Sequence, residues 1–364
     1  MDIDVVRPQD LSAQEIAAWT ALQRVRPEFD TPFLSPHWAR HVERAQAWGD
    51  AASKSAVHVA ILREEGRAKG FFAAKVSGAT AMPAGAPMCD YQGIVAEPGV
   101  TVESRALLDA LGVARLDFSH MLEGQDCFSS HIRGFAPSYL IEMPEGYETY
   151  AEAKKASGSG IIKDLDKRRR KVEREIGPCV FTPFSRSKAD FDQLIEWKRE
   201  QYRETGQTDV FATGWTARLL RDLFQSRDPE FGGVLYTLHI GDTLAAAHFH
   251  LRGRDTIHAW IIAHDCAFEK ASPGLLLFQD IMRWMDETPY CLLDLGAGDY
   301  RFKQQLASST RQIGYGFAGK PSAASLVRHA AYGIRDVAER LPLGKVSALP
   351  GKAMRRFDVI RALR

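Results

Sequence analysis

The strongest constraint on how this chain folds lies in residues 272–318, where helix, strand, loop, helix and strand patterns follow one another closely. Ser272 is a good N-cap, Pro273 suits the first helical position, and Gly274 leaves the backbone open to close approach. The amides after Ser272, from Gly274 and Leu275 onward, are therefore expected to form an anion site at a helix start. Leu275, Leu276, Phe278, Ile281, Met282 and Met285 keep a helical period that should stop before Pro289. Residues 292–295 read as a short buried strand entering the loop Gly296, Ala297, Gly298, Asp299, and a second helical run passes through Lys303 to Leu306.

Asp294, Gly296 and Gly298 also spell DLGAG after a strand, the opening of many S-adenosylmethionine methyltransferases. A nucleotide-binding domain opened by such a loop needs several further βα units and an acidic residue about 20 positions on. Here Asp299 and Tyr300 replace the third glycine and too little chain remains, so position argues against that reading.

With 364 residues, two domains are expected. Hydrophobic content of 45% beside 26% charged residues indicates a globular chain, and no apolar run approaches a membrane span of about 20 residues. The N-terminus MDIDVVRPQD lacks the regions of a signal peptide, so a cytoplasmic location is expected. Cys89, Cys127, Cys179, Cys266 and Cys291 form no CxxC pair, which argues against a disulfide framework or a zinc knuckle, and no metal is expected.

Along the chain, Ser12 to Glu15 has the form of a capping box, TPFLSPHW (31–38) is a turn feeding a second helix, and residues 57–62 and 71–76 read as a hairpin. A boundary falls in the small, flexible run AEAKKASGSG (151–160). Residues 161–176 then form a strongly basic helix, either a solvated face or a contact, through residues such as Arg168, for phosphates on a substrate or carrier. Three strands, 234–240, 244–251 and 257–263, make a meander before the helix at Ser272, and a last strand lies near 312–317.

These residues carry a resemblance. The order of elements, TPFLSPHW, the Arg-rich helix ending REIG, AAAHFHLRG, HAWIIA, SPGLLL and DLGAGDYRFKQQLA together resemble the FemAB-like acyltransferases with two tandem GNAT-like domains, including the CelD or BcsL type of bacterial exopolysaccharide synthesis and the acetyltransferases of holdfast adhesin synthesis. The likeness covers roughly residues 31–318 and is strongest from Ile161 onward. It implies an α/β (α+β) fold of mixed sheets flanked by helices: an N-terminal, acceptor-side GNAT-like domain over 1–155, a donor-side catalytic one over 156–318, and a basic helical tail over 319–364. It implies N-acylation of a sugar with acetyl-CoA or another acyl-CoA as co-substrate. Two alternatives stay open: an aminoacyl-tRNA-dependent ligase of the FemX kind acting on a peptidoglycan precursor, and a non-catalytic GNAT-like module. The usual Q/R-x-x-G-x-G/A phosphate loop is reduced here to Ala271, Ser272, Pro273, Gly274.

Transfer from a thioester needs a base for the amine, donors for the oxyanion and a group to receive the leaving thiolate. His248 and His250 share a face of one strand, and His258 and Trp260 share a face of the next. One of these histidines is a candidate base, although for any single one of them a half-buried polar sheet face is the more ordinary explanation. Asp294 either orients and accepts protons or closes its loop by bonding the amides of Gly296 and Gly298. Tyr300 and Lys303 lie on the next turn; the resemblance sets the family's Tyr-Lys pair at Phe302 and Lys303, which makes Lys303 the first choice for contact with a negative transition state or phosphate. In the first half Phe33, Trp38, Asp90, Tyr91 and Gln92 are acceptor-pocket candidates with Trp260, while Phe33 and Trp38 suit a core as well.

Residues 319–364 hold ten Lys and Arg against three acidic residues, a net +7 that leaves −6 for the rest of a chain whose total is +1. Arg328, Arg355, Arg356 and Arg361 there are candidates for an anionic partner, either an acidic membrane surface or a cyclic dinucleotide, with a docking helix as the plain alternative. Short helices are expected over 326–341 and 352–363 around the linker LPLGKVSALPG.

Overall fold

The computed structural model describes residues 1–47, 55–341 and 344–363. Its strands are β1 (Asp2–Val6), β2 (Ser55–Glu64), β3 (Arg67–Ser77), β4 (Thr80–Pro83), β5 (Val95–Ala96), β6 (Arg115–Leu122), β7 (Ile132–Glu142), β8 (Cys179–Ser185), β9 (Gly232–Ile240), β10 (Thr243–Arg252), β11 (Thr256–His264), β12 (Leu292–Ala297) and β13 (Ser309–Gly319). They join into one sheet in the order β1-β2-β3-β4-β6-β13-β7-β12-β11-β10-β9-β8, with β5 on β3. Two halves repeat one pattern: an antiparallel meander, then a parallel pair, β4 with β6 and β11 with β12. Each half then sends its final strand into the other, so that β7 pairs with β12 and β13 pairs with β6, and β7 and β13 pair with each other in the middle. The division at residue 155 follows chain order, whereas the sheet sets β7 beside the strands of the second half.

The helices are α1 (Ala13–Gln23), α2 (Pro36–Ala47), α3 (Ser104–Ala110) and α4 (Asp126–Ser129) in the first half, and α5 (Gly146–Ala156), α6 (Ile161–Glu175), α7 (Lys188–Glu204), α8 (Gly214–Gln225), α9 (Pro273–Met285) and α10 (Arg301–Leu306) in the second. The capping box opens α1, where the Glu15 N–H donates to Ser12 Oγ at 3.2 Å and the Ser12 N–H donates to Glu15 Oε2 at 2.9 Å. The apolar face of α9 lies on the second half of the sheet, Leu276, Leu277, Ile281 and Met282 meeting Tyr236, Ile257, Leu293 and Leu295, and burying each such side chain contributes about 1.5–3 kcal/mol. Asp30 fastens the halves together: its carboxylate accepts from the N–H groups of Arg254 and Asp255 and from the Thr256 hydroxyl at 3.0–3.1 Å.

The tail forms α11 (Ala323–Arg340) and α12 (Leu349–Leu363); Pro342 and Leu343 of the expected linker lie outside the described residues. Its inner side is fixed by charge. Arg328 bonds Asp358 at 2.8 and 3.0 Å and lies 3.1 Å from Asp117, which also bonds Arg361 at 2.5 Å. Arg328 and Arg361, expected to meet an anionic partner, are thus engaged inside the chain, because a guanidinium this enclosed needs a carboxylate beside it. The end of α12 reaches both halves: Lys75 of β3 donates to the Ala362 carbonyl at 3.0 Å and the Trp215 indole of α8 to that of Leu363 at 3.1 Å.

Candidate active site between the two halves

The parallel pair β11 and β12 is joined only at Thr256 with Leu292, Ile257 with Leu293 and His258 with Asp294. Beyond that point β11 continues to His264 on its β10 side while its other edge parts from β12. His258 and Asp294 therefore stand where the sheet splits. The imidazole is fully buried; its Nε2 lies 2.9 Å from Asp90 Oδ2 and its Nδ1 is 3.5 Å from Asp294 Oδ1, an ion-pair distance outside hydrogen-bond alignment. Asp90 comes from the first half, and with 30% of its side chain exposed it is the member of the trio that meets solvent. Asp294 is 1% exposed and accepts the Gly296 N–H at 2.8 Å, the loop-closing bond expected for it, here combined with the histidine contact.

Electrostatics fix the charge states. Burial opposes the charge on His258, but Asp294 and Asp90 outweigh it and raise the pKa to about 9. Burial likewise opposes charge on Asp90 and Asp294, and His258 reverses this, holding both below the usual carboxylate range. Near neutral pH the trio is carboxylate, imidazolium, carboxylate. Lys303 follows on α10: its ammonium donates to the Ala297 carbonyl at 2.5 Å and to that of Gly296 at 3.3 Å, and burial lowers its pKa against the pull of Asp90 and Asp294. Gly296 has φ 69°, and a Cβ there would come 3.3 Å from His258 Cε1 and 3.6 Å from Asp90 Oδ2, so the backbone passes closely over the trio. Tyr300 is 56% exposed at the rim, with Lys303 Nζ 5.5 Å from its ring.

The helix start at Ser272 differs in detail from the expectation. Ser272 is left-handed (φ 53°) and its side chain does not cap α9. Leu275 and Leu276 donate their N–H groups back to the Ser272 carbonyl at 3.0 and 3.2 Å, and Pro273 has none, so Gly274 provides the outward amide and the Leu275 amide is occupied. Arg168 donates to Ser272 Oγ, bringing a guanidinium to this point. The sequence of α6 arranges this: Arg169 grips Asp280 at 2.6 Å, and Asp166 accepts from Gln279 and Arg283 at 2.8 Å, which pins α6 along α9.

His248 and His250 lie beneath α9, stacked 5.4 Å apart. Burial drives His248 down to about 3 and His250 well below its ordinary value; His248 Nδ1 and both ring nitrogens of His250 have no partner. Burial thus keeps both rings uncharged inside the sheet, the plain alternative to a base. Four acceptor-pocket candidates lie inside the structure, the core reading also given for Phe33 and Trp38. Trp38, Phe33, Tyr91 and Gln92 are 0–5% exposed because they are packing and bridging groups. Trp38 donates to the Ala84 carbonyl, Phe33 meets the His258 ring edge-on at 4.9 Å, the Tyr91 hydroxyl bonds Ser138 at 2.6 Å, and the Gln92 side chain accepts from the N–H groups of Ser119 and His120. Phe33 and Tyr91 wall the His258 ring from inside. Trp260 is half-buried and donates to the Met88 carbonyl at 3.0 Å, steadying the segment that carries Asp90.

Sequence reasoning set His258 beside its neighbours without singling it out, and it missed His120, Lys198 and Tyr202. His120 is lowered by burial, with Asp90 pulling the other way; Lys198 is lowered to about 8 by burial and by Lys303; burial lifts Tyr202 beyond its usual range, Asp209, Asp90 and Tyr300 adding to it. A cavity of about 490 Å³ between α2 and α8 is lined by none of the trio. Among the described residues no group of His, Cys, Asp or Glu is arranged to hold a metal ion.

Residues 160–304 match the model of the acetyltransferase (GNAT) domain family. The matched stretch lies in the second half, from the residue before α6 into α10. GNAT domains generally use an acyl-CoA donor, and the repeated strand order makes the fold of the whole chain a GNAT fold in tandem. No curated protein matches the chain. Among solved structures, FemX superposes with a TM-score of 0.52 at 8% identity, covering 87% of this chain and 96% of its own. The C-terminal DUF2156 domain of a protein described as a lysylphosphatidylglycerol synthetase, from Agrobacterium fabrum, gives 0.52 at 11% identity, covering 88% of this chain and 96% of its own. A conserved protein of unknown function from Bacteroides thetaiotaomicron gives 0.51 at 10%, covering 84% and 98%. Identities this low speak for the shared fold alone.

Proposed function

We propose that the chain is an acyl-CoA-dependent N-acyltransferase, with acetyl as the acyl group and an amine of a sugar in a bacterial exopolysaccharide or its lipid-linked precursor as acceptor. The observation that carries this reading is the split between β11 and β12 with Asp90, His258 and Asp294 at its vertex and Lys303 beside it. A thioester laid along the edge of β11 that β12 leaves meets backbone N–H groups that strengthen as its carbonyl oxygen gains charge. The donor phosphates have the Gly274 amide and Arg168 at the α9 start.

The amine enters from the side of the first half and meets Asp90. As the N–C bond forms the nitrogen becomes strongly acidic, so even a carboxylate of low pKa takes its proton. His258, already an imidazolium near neutral pH, does not accept that proton; it holds Asp90 in place. The C–S bond then breaks and the electron pair leaves on the thiolate. Lys303 supplies positive charge near the oxyanion or an acceptor phosphate.

A second reading, aminoacyl-tRNA-dependent ligation, is favoured by the exposed basic side of α6, with Lys163, Lys167, Arg170, Lys171 and Arg174 turned outward. Mass spectrometry after incubation with labelled acetyl-CoA and an amino-sugar oligosaccharide separates the two. One acetyl mass per free amine is expected. Absence of both transfer and calorimetric acetyl-CoA binding, with ribonuclease-sensitive aminoacyl transfer instead, contradicts the first reading and supports the second.

A further inference from the structure

Helix α11 is turned inside out. A surface helix ordinarily buries its apolar stripe and shows its charges to water, but here Ser325, Arg328, Tyr332 and Arg335 face the protein, all of them buried. The opposite face carries Leu326, Val327, Ile334 and Val337, exposed by 71, 69, 63 and 60%. At the helical period these four fall within an arc of about 100°. The orientation is locked, because Arg328 is held by Asp117 and Asp358 while the Arg335 guanidinium lies 4.7 Å from the Tyr332 ring and 5.1 Å from that of Tyr315. Helix α12 repeats the feature with Leu349 and Phe357, 54 and 63% exposed, on its outer side.

The charges of the tail are sorted in the same sense. Its acids turn inward or are paired, Asp358 with Arg328, Asp336 with Arg335, and Glu339 3.9 Å from Arg335. Arg340, Lys352, Arg355 and Arg356 are exposed. An apolar stripe flanked by outward cations is the composition of a helix that lies in a membrane interface, apolar side in the acyl boundary and cations at anionic headgroups. A second copy of the chain would set these cations against their like, which disfavours self-association through the same face. No helix among the described residues is long and apolar enough to cross a membrane, which leaves a flat attachment for this face.

We infer that the outer face of α11 and α12 docks on an anionic lipid bilayer. This inference stands on the tail alone and is independent of the acyl-transfer reading. Its test is co-sedimentation of the full chain with vesicles of equimolar phosphatidylcholine and phosphatidylglycerol, against vesicles of phosphatidylcholine alone. Binding to the anionic vesicles is expected, weakened about tenfold or more by Arg355→Glu with Arg356→Glu and by high salt, and lost in Ile334→Glu with Phe357→Glu. The altered side chains are exposed, so unchanged melting temperatures are expected for both variants. The proposal is overturned if the chain ignores anionic vesicles, if both variants bind as the parent does, or if the chain is a dimer that Ile334→Glu dissociates while vesicle binding stays absent.

Discussion

His258 decides what the site does, because one buried imidazolium lies between two carboxylates drawn from different halves of the chain. Replacing it in His258→Gln leaves Asp90 and Asp294 without their shared cation, and breaking a buried pair of this kind costs about 3–5 kcal/mol. Its titration is visible in the folding equilibrium. The folded pKa is raised from 6.5 to about 9, so the contribution, about 3 kcal/mol at full size, is complete below the unfolded value and is lost as pH rises through the folded one. His248 acts in the opposite limb: lowered to about 3, it leaves the unfolded chain binding the extra proton, so stability falls as pH drops below 6.5. Denaturant midpoints across pH are therefore expected to fall on both sides of a maximum near the ordinary histidine range, and His258→Gln should flatten the alkaline side alone.

At the scale of elements, two short devices aim the site: the α6–α9 clamp and the turn at the end of β12. Arg168→Ala is expected to raise the KM for acetyl-CoA about tenfold with little change in kcat, because it removes the guanidinium proposed to meet the donor phosphates and leaves the Arg169–Asp280 anchor intact. Gly296→Ala forces a Cβ into a left-handed position against His258; a loss of about 1–3 kcal/mol is expected in thermal melts. Much of this level was legible beforehand. The period of Leu276 to Met285 and the Pro289 stop give α9, and alternation gives the meander, since both patterns are local. Ser272 stands at the N-cap of α9 as expected, but left-handed and without a side-chain bond, because it also ends the short helix that follows Asp265, a context that cap preference does not contain. The burial of Tyr91 and Gln92 was hidden for a related reason: polar side chains that bridge Ser138, Ser119 and His120 look the same in sequence as polar side chains that line a pocket.

For the whole molecule, the exchange of final strands makes the two halves mutually dependent, and no periodicity in the chain could announce it, because β7 and β13 find their partners more than a hundred residues away. One cooperative unfolding transition is expected for the full chain. A fragment ending at the 151–160 boundary should lack native circular dichroism on its own and regain it when mixed with the remainder, whereas two independently folded fragments would contradict the exchange. Asp90 reaches the split from the first half, so catalysis by the isolated second half is not expected. The most direct test of the account is the rate of CoA release from acetyl-CoA with an amino-sugar oligosaccharide in Asp90→Asn. A fall of about a hundredfold or more in kcat, with acetyl-CoA affinity close to the parent's, is predicted at a temperature where both proteins are folded; turnover within a few-fold of the parent would contradict it.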